Sequence, residues 1–218
     1  MGRFIDGLPL AWRVSAACMI IFLLVAVGVT RISTIQHIDR DASEAVYRAL
    51  PMSWCEFITW WGHNGLYLLG GAIAAVLIWK RQWTLAVFAT SAVSGGIFLQ
   101  SIIKPLVARP RPLYPDADLA VHSYSFPSGH TLLSLIVYGV LVYLIMRRVQ
   151  DRRTRLLIVS IAALWVALIG LSRVVLGFHH LGDILGSLTL GIAWLATCIG
   201  LLDYLNPSHQ SKPHPYPG

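Results

Sequence analysis

Charge is scarce in this chain. Lys, Arg, Asp and Glu together make up 12% of 218 residues, about half the share normal for a soluble domain. Against that, 56% are hydrophobic and the mean hydropathy is +0.65. An ordinary water-soluble fold is excluded and a membrane protein implied. Cysteine is equally sparse: Cys18, Cys55 and Cys198 are odd in number and lack metal-type spacing, so they specify neither a disulfide framework nor a zinc site. Acidic residues are the rarer sign, 10 against 17 basic, for a net charge of +7. A long basic arm and aromatic-basic interleaving are both missing, which argues against nucleic acid as a partner. The positive excess is expected instead to orient the chain in a bilayer and to hold something acidic.

Hydrophobic runs are what the chain has in quantity. Six are read at about 12–30, 62–79, 83–103, 130–146, 156–176 and 183–202. At roughly 20 apolar residues per crossing, six spans leave no room for a separate soluble domain. The expectation is an all-α integral membrane bundle of six transmembrane helices with a short interfacial helical outer loop. It forms one domain over 1–205, and 206–218 is a proline-rich, disordered cytoplasmic tail. His209 and His214 fall in that tail, away from any metal set. The first run is too long, and lacks the cleavage pattern, to read as a removed signal peptide. Gly70-Gly71 and Gly95-Gly96, costly in a soluble helix, read as points of close helix contact in lipid.

Orientation follows from the loops, because Lys and Arg stay on the cytoplasmic side. Arg147, Arg148, Arg152, Arg153 and Arg155 surround a lone Asp151, and Lys80 and Arg81 fall on the same side with Arg3 and Arg13. Both termini are then expected in the cytoplasm. The opposite, outer side carries the loop 31–61 and the segments 104–129 and 172–182. In the first of these, Trp54, Phe57, Ile58 and Trp61, with Trp60 alongside, have the spacing of a short helix lying among lipid headgroups.

Three clusters share the outer side. Lys104, Arg109 and Arg111 sit among four prolines, Pro105 to Pro115, that stop the third span. Any one of these cations could be snorkelling to the interface. Phe126-Pro127-Ser128-Gly129-His130 precedes the fourth span, so its backbone N–H groups sit at a helix N-terminus suited to an oxyanion. A Ser128 helix cap is compatible with that. Ser172, Arg173, His179, His180 and Asp183 lie where the fifth span meets the sixth. Together Lys104, Arg111 and Arg173 supply cations, and Ser128 and Gly129 donors, for a tetrahedral phosphate. His179 and Asp183 are spaced i, i+4, so the carboxylate can hold one imidazole nitrogen and leave the other free as a nucleophile. His180 is also within helical reach of Asp183, at i, i+3, and spacing alone does not choose between the two. His63, His122 and Tyr124 are further outer-side candidates, whereas Asp116 and Asp118 read as solvated.

These residues resemble the type 2 phosphatidic acid phosphatases, membrane lipid phosphatases related in fold to bacterial acid phosphatases and vanadium-dependent haloperoxidases. The family's K-x6-R-P matches Lys104 to Arg111-Pro112, its P-S-G-H matches Pro127 to His130, and its S-R-x5-H-x3-D matches Ser172-Arg173, His179 and Asp183. All three are present without substitution. The resemblance implies that His179 is the nucleophile and forms a phosphohistidine, Asp183 orients it, and His130 protonates the leaving oxygen. Lys104, Arg111, Ser128, Gly129 and Arg173 would bind the phosphate. It selects Arg111 over Arg109 and His179 over His180, and it implies neither cofactor nor metal. The implied activity is hydrolysis of a lipid phosphate or diphosphate, such as undecaprenyl diphosphate or phosphatidylglycerol phosphate, on the periplasmic or extracellular face of the plasma membrane. A phosphotransferase of the same family and a transporter are the alternatives.

Overall fold

The computed structural model describes residues 9–50, 52–114 and 123–206. Eight α-helices span these residues: α1 Leu10–Arg31, α2 Ser33–Ala49, α3 Cys55–Trp61, α4 Asn64–Trp79, α5 Trp83–Val107, α6 Gly129–Met146, α7 Arg152–Val175 and α8 Leu181–Leu205. Six helical stretches are long and apolar enough to cross a membrane, α3 and α4 counting together as the second. The all-α, six-span architecture expected from the hydrophobic runs is what the chain adopts. Asp116, Asp118, His122, Arg3 and the tail with His209 and His214 lie outside the described residues.

The outer loop is helical, and in its polar half as well as in its aromatic half. Its polar half is a 17-residue helix, α2, and its aromatic half is the first two turns of the second span, offset from α4 at Gly62-His63. The reason is legible once the helix is drawn. Asp39 and Ser43, one turn apart, are buried on the face of α2 turned to the protein, while Thr34, His37, Arg40, Asp41 and Arg48 are exposed together with Ile38. The helix thus buries two of its polar residues against the bundle and leaves its charged ones outward.

The centre of the bundle is α6, packed against α5, α7 and α8, with α1 laid along α8. Leu132, Ile136 and Val140 of α6 meet Leu190 of α8, and Phe22 of α1 stacks on Phe126 at 5.6 Å. Small residues set the spacing, as expected for Gly95 and Gly96: a Cβ there would lie 2.2 Å from Trp194 and 2.3 Å from Ile136. Gly70 and Gly71 differ from expectation, because a Cβ on either meets nothing within 4 Å. They border open space between α4 and α5.

Alternation of the spans brings the ends of α5 and α7 and the starts of α6 and α8 to one end of the bundle. There α5 stops at Ala108, whose left-handed φ of 50° turns the chain, and Pro110 prevents its continuation. The basic loop 147–155 is at the other end. Asp151 caps α7 there, accepting from Thr154 Oγ1 and from Thr154 N, each at 2.7 Å, bonds that hold its carboxyl below the ordinary carboxylate range.

Candidate active site

At the first end of the bundle lies a chamber of about 300 Å³. Lys104 reaches it from the last turn of α5, Arg111 from the segment beyond, Gly129 and His130 from the first turn of α6, Arg173 from the last turn of α7, and His179 from the α7–α8 connection. Six of the eight residues singled out by spacing and motif therefore line one cavity. Asp183 and Ser128 are fully buried behind it.

The cations are placed by neutral partners. Lys104 Nζ donates to Tyr124 O at 2.9 Å, leaving two donors. Arg111 joins two loops, donating to Ser123 O, Ser123 Oγ and Phe178 O, each at 2.8 Å. Burial lowers its guanidinium somewhat from the ordinary value, and Asp183 opposes that. Arg173 lies over the Phe178 ring at 4.1 Å and donates to Thr59 Oγ1 at 2.6 Å. Its buried Nε has no hydrogen-bond partner among the described residues. Among the described residues no carboxylate lines the chamber, so three cations face one another across it. Such an arrangement suits a multiply charged oxyanion.

A Cβ on Gly129 would sit 2.3 Å from Gln100 Oε1, so a larger residue there would have to displace the end of the Gln100 side chain. Ser128 occupies the cap position, yet its side chain caps nothing; its Oγ accepts from Thr131 Oγ1 at 3.0 Å. Its backbone O takes Ser187 Oγ at 3.0 Å, tying α6 to α8.

Behind the chamber Asp183 is saturated. Its Oδ1 accepts from Arg109 at 2.6 Å; its Oδ2 accepts from His180 N at 2.9 Å and from Ser125 Oγ, and lies 3.4 Å from His179 Nδ1. The bond to His180 N makes Asp183 the cap of its own helix. His180 Nδ1 is 3.8 Å away from the same oxygen, and that side chain faces another cavity, with Arg40 and Arg109. Of the two adjacent histidines, His179 lines the chamber. Burial pushes its imidazole down to about 4, with Asp183 pulling the other way. A neutral ring held at Nδ1 keeps a lone pair on Nε2 for the chamber.

Several residues of this site carry no motif signal. The six-residue spacing from Lys104 passes over Arg109, yet its guanidinium is bonded to Asp183. Ser125 and Asp39 belong to no motif. His63 stacks on His130 with ring centroids 5.2 Å apart, Gln100 completes the wall, and Thr59 holds Arg173. The i, i+4 spacing of Asp39 and Ser43, which puts both on one helical face, is the available clue to α2.

Next to the chamber a second cavity, about 260 Å³ and almost wholly apolar, runs between α4 and α5, floored by Gly70 and Gly71. The two cavities share Leu66, Tyr67 and Leu133 as lining.

Bundle and chamber together define a multi-pass membrane enzyme. Residues 83–207, more than half of the chain and inclusive of all three motifs, match the family model of the PAP2 superfamily, and the chain belongs to that family. It is similar to phosphatidylglycerophosphatase B of Bacillus subtilis (strain 168), 28% identical over 187 residues that cover 80% of this chain and 88% of that one. It is also similar to lipid phosphate phosphatase delta of Arabidopsis thaliana, 28% identical over 65% of this chain and 36% of that one. The crystal structure of a transmembrane PAP2-type phosphatidylglycerolphosphate phosphatase from Bacillus subtilis superposes with a TM-score of 0.77. It shares 25% identity over 92% of this chain and 98% of that chain.

Proposed function

We propose that this protein hydrolyses a lipid phosphate or diphosphate in two steps through His179. The observation that carries the reading is the junction of a cationic chamber with an apolar groove: a phosphate among Lys104, Arg111 and Arg173, an acyl or prenyl chain against Gly70 and Gly71. One molecule that needs both is a phospholipid-like phosphate. In the first step His179 Nε2 attacks phosphorus in line, the bond to the leaving oxygen breaks, and His130 gives that oxygen its proton. In the second, water attacks the phosphohistidine while His130 takes the proton back, the N–P bond pair returns to Nε2, and inorganic phosphate leaves. The cations hold the three equatorial oxygens throughout.

The phosphatidylglycerophosphatase name of a relative and the outward orientation read from the Arg147 to Arg155 loop support phosphatidylglycerol phosphate and undecaprenyl diphosphate as first candidates. Both would be met on the periplasmic or extracellular face of the plasma membrane. Purified protein in detergent, with chelator present, should release phosphate from at least one of these lipids, and His179→Ala should release none. Activity that vanished in chelator and returned with magnesium would overturn the metal-free mechanism. Transfer of phosphate to an added lipid alcohol, with none to water, would make it a phosphotransferase.

A further inference from the structure

The bonds around Asp183 extend to a helix that contributes nothing to the chamber wall. Arg109, 7% exposed, splits its guanidinium between two buried carboxylates: one terminal nitrogen donates to Asp183 Oδ1 and the other to Asp39 Oδ2, both at 2.6 Å. Asp39 lies on α2, more than 140 residues before Asp183 in the chain, as its other bond shows: Oδ1 accepts from Gly182 N at 2.7 Å, a separation of 143 positions. Gly182 is the residue before Asp183. One carboxylate of α2 thus grips the catalytic carboxylate by two routes, through the Arg109 fork and through the adjoining peptide. One turn along α2, Ser43 Oγ accepts from Leu181 N at 2.9 Å, so α2 supplies the caps for the first turn of α8.

Stability alone is a weak account of this triad. Burying three charges costs desolvation comparable to the attraction gained, and apolar replacements often do as well. What the triad fixes is geometry. With Asp39 holding one of its nitrogens, Arg109 can give Asp183 only the other, at Oδ1. The second oxygen remains for Ser125, His180 N and His179. Without Asp39 the guanidinium is free to turn its whole fork onto Asp183, the arrangement carboxylates and arginines prefer, and Oδ2 is drawn off the imidazole.

We propose that Asp39 is a positioning residue for phosphoryl transfer: acting through Arg109 and Gly182 N–H, it holds the Asp183 carboxylate with Oδ2 toward His179. This rests on the reading of His179 as nucleophile. Arg109 is the second member of the same device, and α2 sets the aim of a ring it never touches.

The test is the rate of phosphoenzyme formation from a short-chain aryl phosphate, followed by rapid quench in detergent. Asp39→Asn keeps the side chain's size and an acceptor for Gly182 N but loses the charge. It should slow phosphorylation roughly 10- to 100-fold, the scale of a misplaced reacting group, with KM changed less than twofold. Asp39→Glu should recover part of the rate, and Arg109→Lys, which can reach only one carboxylate, should lose as much as Asp39→Asn. In an Asp183→Asn background Asp39→Asn should cost nothing more, since no carboxylate is left to aim. Ser43→Ala, which removes a cap without touching Arg109, should lower the melting temperature and leave the rate alone. Wild-type rates in Asp39→Asn, or an undiminished further loss in the Asp183→Asn background, would overturn the proposal while leaving the phosphatase reading intact. A wild-type protein that forms no phosphoenzyme would remove that reading, and the proposal with it.

Discussion

The ring of His63 lies on that of His130 at 5.2 Å, with 22° between their planes. His63 sits where the second span is broken between α3 and α4, so the stack couples that break to the start of α6. An aromatic pair of this kind contributes about 0.5–1.5 kcal/mol beyond its buried area, enough to hold His130, the proposed leaving-group acid, in one rotamer. His63→Ala should therefore lower kcat by up to about tenfold, and His63→Phe, which keeps a stacked ring, should restore most of it. If Phe is as poor as Ala, the imidazole of His63 has a chemical part that stacking does not describe.

Gly70 offers a test of the groove that leaves the chemistry alone. A side chain there meets nothing within 4 Å, so Gly70→Leu should fold without strain and fill the cavity between α4 and α5. Losing contact with even two methylenes costs about 1.6 kcal/mol. The KM for long-chain lipid phosphates should rise at least tenfold, while a short aryl phosphate keeps its kcat/KM. Equal loss on both substrates would mean that the chain lies elsewhere.

The acid behaviour of His179 has a definite sign. In the unfolded chain an imidazole takes up its proton near 6.5; in the folded protein burial delays uptake to about 4, despite Asp183. The unfolded state then binds the extra proton across that window. Stability on this account is complete above pH 6.5, falls as the pH is lowered toward 4, and levels off below. In ¹⁵N spectra of histidine-labelled protein, the His179 resonance should remain that of a neutral ring at pH 5.5. A His179 signal that titrates at 6.5 or above would show that Asp183, not burial, governs the ring.

The spans and the end of the bundle that carries the chamber were legible because both depend on patterns along the chain: apolar runs, the Arg147 to Arg155 cluster, prolines after Lys104. The three motifs likewise marked residues near one another or close to a helix end. What sequence could not supply was the company kept across long separations. Arg109 looks redundant beside Arg111 because spacing counts positions and not directions; Arg109 bonds to Asp183 while Arg111 lines the chamber. Asp39 stands among charged residues of α2 that are exposed, Arg40, Asp41 and Arg48, and nothing along the chain separates it from them. Gly70 and Gly71 resemble Gly95 and Gly96 in sequence, and only the neighbouring helix decides whether a glycine admits a partner or borders a groove.

Arg173 provides the sharpest test of the oxyanion cradle. Its stack on Phe178 and its bond to Thr59 fix the plane of the guanidinium where it lines the chamber. Vanadate, tetrahedral in solution and able to become five-coordinate at a histidine nitrogen, imitates the transferring phosphoryl group and should compete with substrate. Arg173→Lys retains a positive charge but has no fork and no planar face for Phe178. Losing one charge-assisted hydrogen bond costs about 1.5–3 kcal/mol, so the inhibition constant for vanadate should weaken roughly 10- to 100-fold. Because such bonds strengthen in the transition state, kcat should fall more than KM rises, while the melting temperature stays close to that of the wild type. Unchanged vanadate inhibition in Arg173→Lys would take the guanidinium out of the cradle and leave Lys104 and Arg111 to hold the phosphate alone.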